Sequence, residues 1–223
     1  SEMVTIPELI RDLIEQVSFE ARNSEYVDAK SGVSARLSIS ALENTVSAAE
    51  RRALIQNEKH TTARISDLWG AISAINGKIE LVYEGEQEGP VHVAQFLIAK
   101  AIRTLFVNYF PDPERFKRKK EANPYETILN WFNSNHEIDL MLEDKTANYA
   151  NKLKSVNGLK ELIDQFYKSL SENDKLLLME FVLYGLAAFS QLNRLALDNG
   201  MLFKDLFSSV FSADDLDDEF SAN

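Results

Sequence analysis

Three histidines, His60, His92 and His136, are the only imidazoles in the chain. None stands in a His-Glu-x-x-His or Glu-x-x-His arrangement, the spacings that put zinc or di-iron ligands on one helix face. Each therefore reads as a surface or loop residue. The sequence has no cysteine, which removes disulfides, thiolate chemistry and Cys-ligated zinc. A phosphate-binding P-loop needs a Gly-rich turn ending in Gly-Lys-Ser/Thr. The one Gly-Lys pair, Gly77-Lys78, is followed by Ile79, and the upstream glycine position holds Ile72. Gly85 and Gly89 have no strand before them and read as turn residues. Acid/base pairs can be drawn from Glu15 with Glu20, or from Glu84, Glu86 and Glu88. No neighbouring pattern desolvates one member, as such catalysis requires. The sequence thus carries no self-sufficient catalytic site and no metal site.

Charge narrows the partners. The chain has 223 residues and a net charge of −11, a surface that repels phosphate backbones and anionic membranes. The basic run at 115–120 (Arg115, Lys117, Arg118, Lys119, Lys120) has Phe116 as its only aromatic and reads as a solvated loop. The apolar run at 181–189 is shorter than the roughly 20 residues that span a bilayer. No secretory signal is visible at the start, and a cytoplasmic location is expected. The Ser at position 1 fits an excised fragment.

The elements that would position any site are helices. Hydrophobic residues make up 45% of the chain, against only 8 Gly and 5 Pro. Leu9, Ile10, Leu13, Ile14 and Val17 line one helix face, with Thr5 and Glu8 at capping-box spacing and an end near Asn23. A polar loop follows at 24–34. A second helix begins near Ser38 or Ser40 and carries Leu42, Val46, Ala49, Ala53 and Leu54, with small residues at 48, 49 and 53 that permit close helix approach. Ser66 is placed to cap a short third helix ending at Gly77. The segment 84–90 reads as a linker or exposed turn and as the candidate domain boundary.

Beyond it, Val93 to Tyr109 gives a wide apolar helical face, stopped by Pro111 and Pro113. A shorter helix runs through Ile128 and Phe132. Residues 136–157 are ambiguous, and 136–142 within them fit either a short strand or part of a helix. Leu159 to Tyr167 is helical, and Ser171 starts a long apolar helix running toward Gly200. A last helix is expected at 203–211, before a tail that is acidic at 214–219 and expected to be disordered. The reading is all-α: a helical bundle over 1–83, a linker at 84–90, a helical domain over 91–212 and an acidic tail over 213–223.

One stretch is more specific. Gly32, Ser34 and Arg36 form a Gly-x-Ser-x-Arg turn at the head of a helix, and Ile65, Asp67 and Leu68 open the next. Over about residues 5–80 this resembles the helical lid of an AAA+ ATPase of the magnesium chelatase subunit I and MoxR type. Residues 91–211 resemble the C-terminal helical extension of magnesium chelatase-like ATPases. The family's nucleotide core, with its P-loop, magnesium-binding strand, sensor 1 and arginine finger, is missing from this sequence.

The resemblance implies that the chain is a C-terminal lid and interaction region, with no catalysis of its own and no cofactor bound. ATP and Mg2+ would belong to the parent protein. The partners implied are the AAA+ core of the parent chain, neighbouring subunits of a ring and an unidentified protein substrate, with no nucleic acid and no membrane. Arg36 would be sensor 2, whose always-charged, planar guanidinium suits phosphate oxygens. The plainer reading of Arg36 is an ion pair with Asp28 or Glu43. On a lid helix Arg51 and Arg52 could serve subunit contacts in a ring, but with Glu50 they read as a solvated helix face. The alternative for the whole chain is a free-standing helical interaction module.

Overall fold

The computed structural model describes residues 3–30, 32–118 and 121–206. Helix is the dominant structure, as the apolar periodicity requires. The chain is not purely α, however. Among the described residues two small sheets occur.

Strand β1 (Val4–Thr5) leads into helix α1 (Glu8–Arg22). Leu9, Ile10, Leu13, Ile14 and Val17 are buried, as their spacing demands. Thr5 does not cap this helix. It pairs instead with Thr62 of β2 (Thr61–Thr62), and Pro7 occupies the cap position. Helix α2 (Leu37–Gln56) begins one residue before Ser38 and places Ser40 inside its first turn. Its buried face is Leu37, Ala41, Thr45, Ala49, Arg52 and Ala53, whereas Leu54 is exposed. A 3-10 helix (Ile65–Ala71) runs directly into α3 (Ile72–Asn76). A Cβ on Gly70 would stand 2.8 Å from the Ala48 Cβ, so the small residues of α2 do admit this helix at close range.

The segment at 84–90 is largely helical. It holds helix α4 (Tyr83–Glu88), and Pro90 opens α5 (Pro90–Tyr109) after Gly89, whose φ of 89° is left-handed. Residues before and after it share one apolar core. Helix α5 is long and apolar enough by composition to cross a membrane. Here its face of Val93, Ala94, Leu97, Ile98, Ala101, Ile102 and Phe106 is buried, and it packs against α1 and α10.

Short helices α6 (Pro113–Arg118) and α7 (Glu126–Asn133) follow. The ambiguous stretch then resolves into strand β3 (Ile138–Met141) and helix α8 (Thr146–Ser155), with α9 (Leu159–Phe166) after them. Helix α10 (Glu172–Ala188) is capped by the Ser171 hydroxyl, which accepts from the Asp174 N–H. It buries every residue from Leu176 to Leu186, as expected of a central helix, but ends at Ala188 rather than near Gly200. A hairpin of β4 (Asn193–Leu197) and β5 (Gly200–Lys204) replaces its predicted end and the first residues of the predicted last helix. The antiparallel sheet order is β3-β5-β4. The rest of that helix and the acidic tail lie outside the described residues.

Candidate functional site

The loop before α2 is latched to the segment after α3 by backbone bonds: Asp28 N–H to the Glu80 carbonyl, Glu80 N–H to Gly32, and Ser34 N–H to Lys78, at 2.9, 3.0 and 2.9 Å. Gly32 sits against its own chain so closely that a Cβ would fall 1.7 Å from the Asp28 carbonyl oxygen. The Ser34 hydroxyl accepts from the Arg36 N–H at 3.2 Å, which fixes the turn into the helix. Gly32, Ser34 and Arg36 are thus brought together as one turn.

The Arg36 side chain is exposed. Among the described residues its guanidinium has no ion pair, with neither Asp28 nor Glu43. Two residues after Arg36 in sequence, Ser38 shares a hydroxyl hydrogen bond of 2.7 Å with Ser18 that ties α1 to the head of α2. Phe19 and Ile39, the next residue along each helix, are 60% and 59% exposed. Ser18, Phe19, Arg22, Ser38 and Leu105 line one open cleft at this junction of α1 and α2.

Arg51 and Arg52 part company. Arg51 is exposed and meets Glu143 at 3.2 Å. Arg52, expected on a solvated face, is 2% exposed and holds Asp67 through two nitrogens, at 3.4 and 2.8 Å. Its remaining nitrogen donates to the Thr61 hydroxyl at 2.7 Å. The same Asp67 carboxylate accepts the Arg64 N–H at 2.8 Å and so closes the start of the 3-10 helix.

Arg64 extends this cluster toward the second half of the chain. Its guanidinium donates to the Asp144 carbonyl at 2.9 Å and to the Thr146 hydroxyl at 3.3 Å, and lies 4.0 Å over the Tyr149 ring. Burial and the nearby Arg52 charge lower its pKa from the ordinary value. Beneath it Glu180, fully buried, accepts from the N–H groups of Ile65 and Ser66 and from the Tyr149 hydroxyl, at 2.8, 3.0 and 2.9 Å. Burial raises the Glu180 pKa. Burial and the Glu180 charge also push the Tyr149 phenol well up.

A small cleft of about 120 Å³ opens over this cluster, lined by Thr5, His60, Arg64, Thr146, Tyr149 and Asn173, among others. Its chemistry is limited. The Tyr149 phenol is held protonated, and its hydroxyl is spent on Glu180. His60 is the one imidazole on the wall, with no nucleophile hydrogen-bonded to it among the described residues. The cluster works as a lock that fixes the 3-10 helix to α8 and α10. His92 is exposed, and His136 stacks on Trp131 at 4.7 Å. No group of three or more potential metal ligands occurs among the described residues. Arg115 of the basic run pairs with Glu121 at 3.0 Å, and Lys119 and Lys120 lie outside the described residues.

The geometry defines a predominantly helical protein with a buried polar lock and one exposed arginine turn. No family model matches the chain, and neither a curated protein nor a solved structure matches it.

Proposed function

We propose that this chain is the helical lid and C-terminal interaction region of a ring-forming AAA+ ATPase of the magnesium chelatase subunit I or MoxR type, working in the cytoplasm. Arg36 then acts as sensor 2, meeting the γ-phosphate of an ATP-Mg2+ held by the nucleotide core of the parent protein. One observation carries this reading. The Arg36 guanidinium is solvent-exposed and without an ion pair, at the end of a turn that Gly32 and Ser34 hold rigid. A charge so placed is available to an anion brought by another piece of polypeptide. The exposed Phe19 and Ile39 supply apolar area for that piece to cover.

The rest of the chain offers helical surface to ring neighbours or to the remodelled partner. The parent protein spends ATP on remodelling or on metal insertion. The experiment has two stages. The reading frame upstream of Ser1 should encode a Gly-x4-Gly-Lys-Ser/Thr motif. Arg36→Ala in that longer protein should then slow ATP hydrolysis by roughly tenfold or more, as expected for loss of a charge that stabilises the transition state. Full hydrolysis by the variant would remove the sensor role. An upstream frame without the motif would leave a helical interaction module with no nucleotide chemistry.

A further inference from the structure

The cleft over Arg64 is short of acid. The sequence holds 35 Asp and Glu against 24 Lys and Arg, yet among the described residues no Asp or Glu stands in these walls. Arg64 does, 4% exposed and forming no ion pair among the described residues. The acids around it are engaged elsewhere. Asp67 is held by Arg52, Glu180 by the Ile65 and Ser66 N–H groups and the Tyr149 hydroxyl, and Glu58 by the N–H and hydroxyl of Thr146. Glu172 meets Lys154, and Asp174 accepts from the Ser171 hydroxyl. The Arg64 guanidinium is bonded through its two terminal nitrogens, to the Asp144 carbonyl and the Thr146 hydroxyl. Its Nε–H makes no bond among the described residues. There, Asn76 Oδ1 is the one buried side-chain nitrogen or oxygen atom without a partner. Solvent therefore reaches the Arg64 Nε, and this cleft is the opening that Arg64 lines.

The same walls carry Thr5, Thr62 and Asn173, whose side chains make no hydrogen bond among the described residues, and the exposed His60. Beside these polar groups stand the apolar side chains of Leu176 and Leu177. A buried guanidinium with an N–H unspent suits a planar oxyanion, and the open hydroxyl and amide donors can complete its hydrogen bonds. One guanidinium balances one negative charge, whereas a phosphate monoester, with close to two at neutral pH, would be only half balanced. The cleft, at about 120 Å³, has room for only a few waters and so for a small ligand. We propose that this cleft is a binding site for a short aliphatic monocarboxylate, with the carboxylate on the Arg64 Nε–H and the open donors of Thr5, Thr62 and Asn173, and the alkyl end against Leu176 and Leu177. The ligand then bridges residues from both halves of the chain. This inference goes beyond the proposed function and stands without it.

The test is an NMR titration of the whole chain with butyrate at constant ionic strength. Butyramide, of the same shape without the charge, and inorganic phosphate serve as comparisons. Butyrate should shift the amides of Thr62, Arg64 and Asn173 along one saturable curve, with a Kd on the order of millimolar for so small a ligand. Butyramide and phosphate should leave those amides in place over the same range. Arg64→Gln should abolish the saturable shift while α10 amides keep their protection from exchange. Asn173→Asp changes an exposed residue, leaves the fold intact and puts a like charge at the cleft, so it should weaken binding roughly tenfold. If Arg64→Gln does not fold, Asn173→Asp decides. Unmoved amides with butyrate, equal shifts with butyramide or with phosphate, or wild-type affinity in Asn173→Asp would each overturn the proposal.

Discussion

The Glu180 carboxylate accepts the backbone N–H of Ile65 at 2.8 Å, across 115 residues of sequence. The donor is the first residue of the 3-10 helix, where N–H groups lack intrahelical partners. One charged side chain of the most buried helix thus satisfies the open end of a helix from the first half of the chain. The two halves are joined by a polar bond as well as by apolar packing.

Loss of the Tyr149 hydroxyl should weaken this junction. Tyr149→Phe removes the donor 2.9 Å from Glu180 and leaves that carboxylate less satisfied inside the core. A cost of about 1–3 kcal/mol is expected. Urea denaturation of the variant against wild type measures it, and an unchanged midpoint would show that the bond contributes nothing.

Arg52 and Asp67 make the second lock. Their side chains are 1% and 3% exposed, so Asp67→Ala strands a guanidinium away from water and should cost about 3–5 kcal/mol. The double replacement Arg52→Met with Asp67→Leu should recover much of that loss, because no charge remains to be paired. Comparing the three denaturation curves isolates the pair. A single variant as stable as wild type would contradict the burial.

Arg36→Ala provides the contrast. Its side chain is exposed and has no described ion pair, so stability should change by less than about 0.5 kcal/mol. A thermal midpoint lowered by several degrees would mean that the guanidinium has a structural partner after all.

Gly185→Ala tests the packing of α5 against α10. A Cβ there would lie 2.1 Å from the Phe106 ring, itself fully buried. Overpacking should cost about 1–3 kcal/mol, and Phe106→Leu in the same chain should relieve part of it. If denaturant midpoints place the double variant below Gly185→Ala alone, the clash is not the cause.

Glu20 carries a pH dependence. Burial pushes its pKa up, but hydrogen bonds from Thr104 and Gln16 and the ammonium of Lys100 outweigh it, and the net pKa lies below the ordinary carboxylate value. A depressed folded pKa means that the unfolded chain binds the proton more tightly. The stabilisation is therefore present above about pH 4.5 and is lost as pH falls below it. Thr104→Val should raise the Glu20 pKa and flatten that part of the stability profile, as followed by NMR titration of the Glu20 carboxyl. An unmoved titration would remove Thr104 from the account.

Several elements were legible from residue spacing. The stripes of α1, α5 and α9, the Ser171 cap and the wholly apolar character of α10 all read directly, because a helix face repeats every three to four residues whatever surrounds it. The β4–β5 hairpin does carry a local signal, since Asp198-Asn199-Gly200 stands between the short apolar stretches Leu195–Leu197 and Met201–Phe203, but the helix period of α10 read on through it as far as Gly200. Arg52 was read as solvated because Glu50 and Arg51 beside it are charged. Its burial depends on Asp67 and Thr61, which reach it only through the fold. A lone Glu180 inside the apolar residues 176–186 is a local signal of a buried partner, although nothing near it in sequence says which group that partner is.

The sequence by itself determined the helical periodicity, the lack of thiol chemistry and of any His-based metal motif, and the Gly32-Ser34-Arg36 turn, since each depends on near neighbours along the chain. Only the tertiary structure decided which charges are free and which are locked. Arg36 and Arg52 look alike in sequence, yet one faces water and the other is sealed against Asp67, because burial is set by residues that come together from far apart.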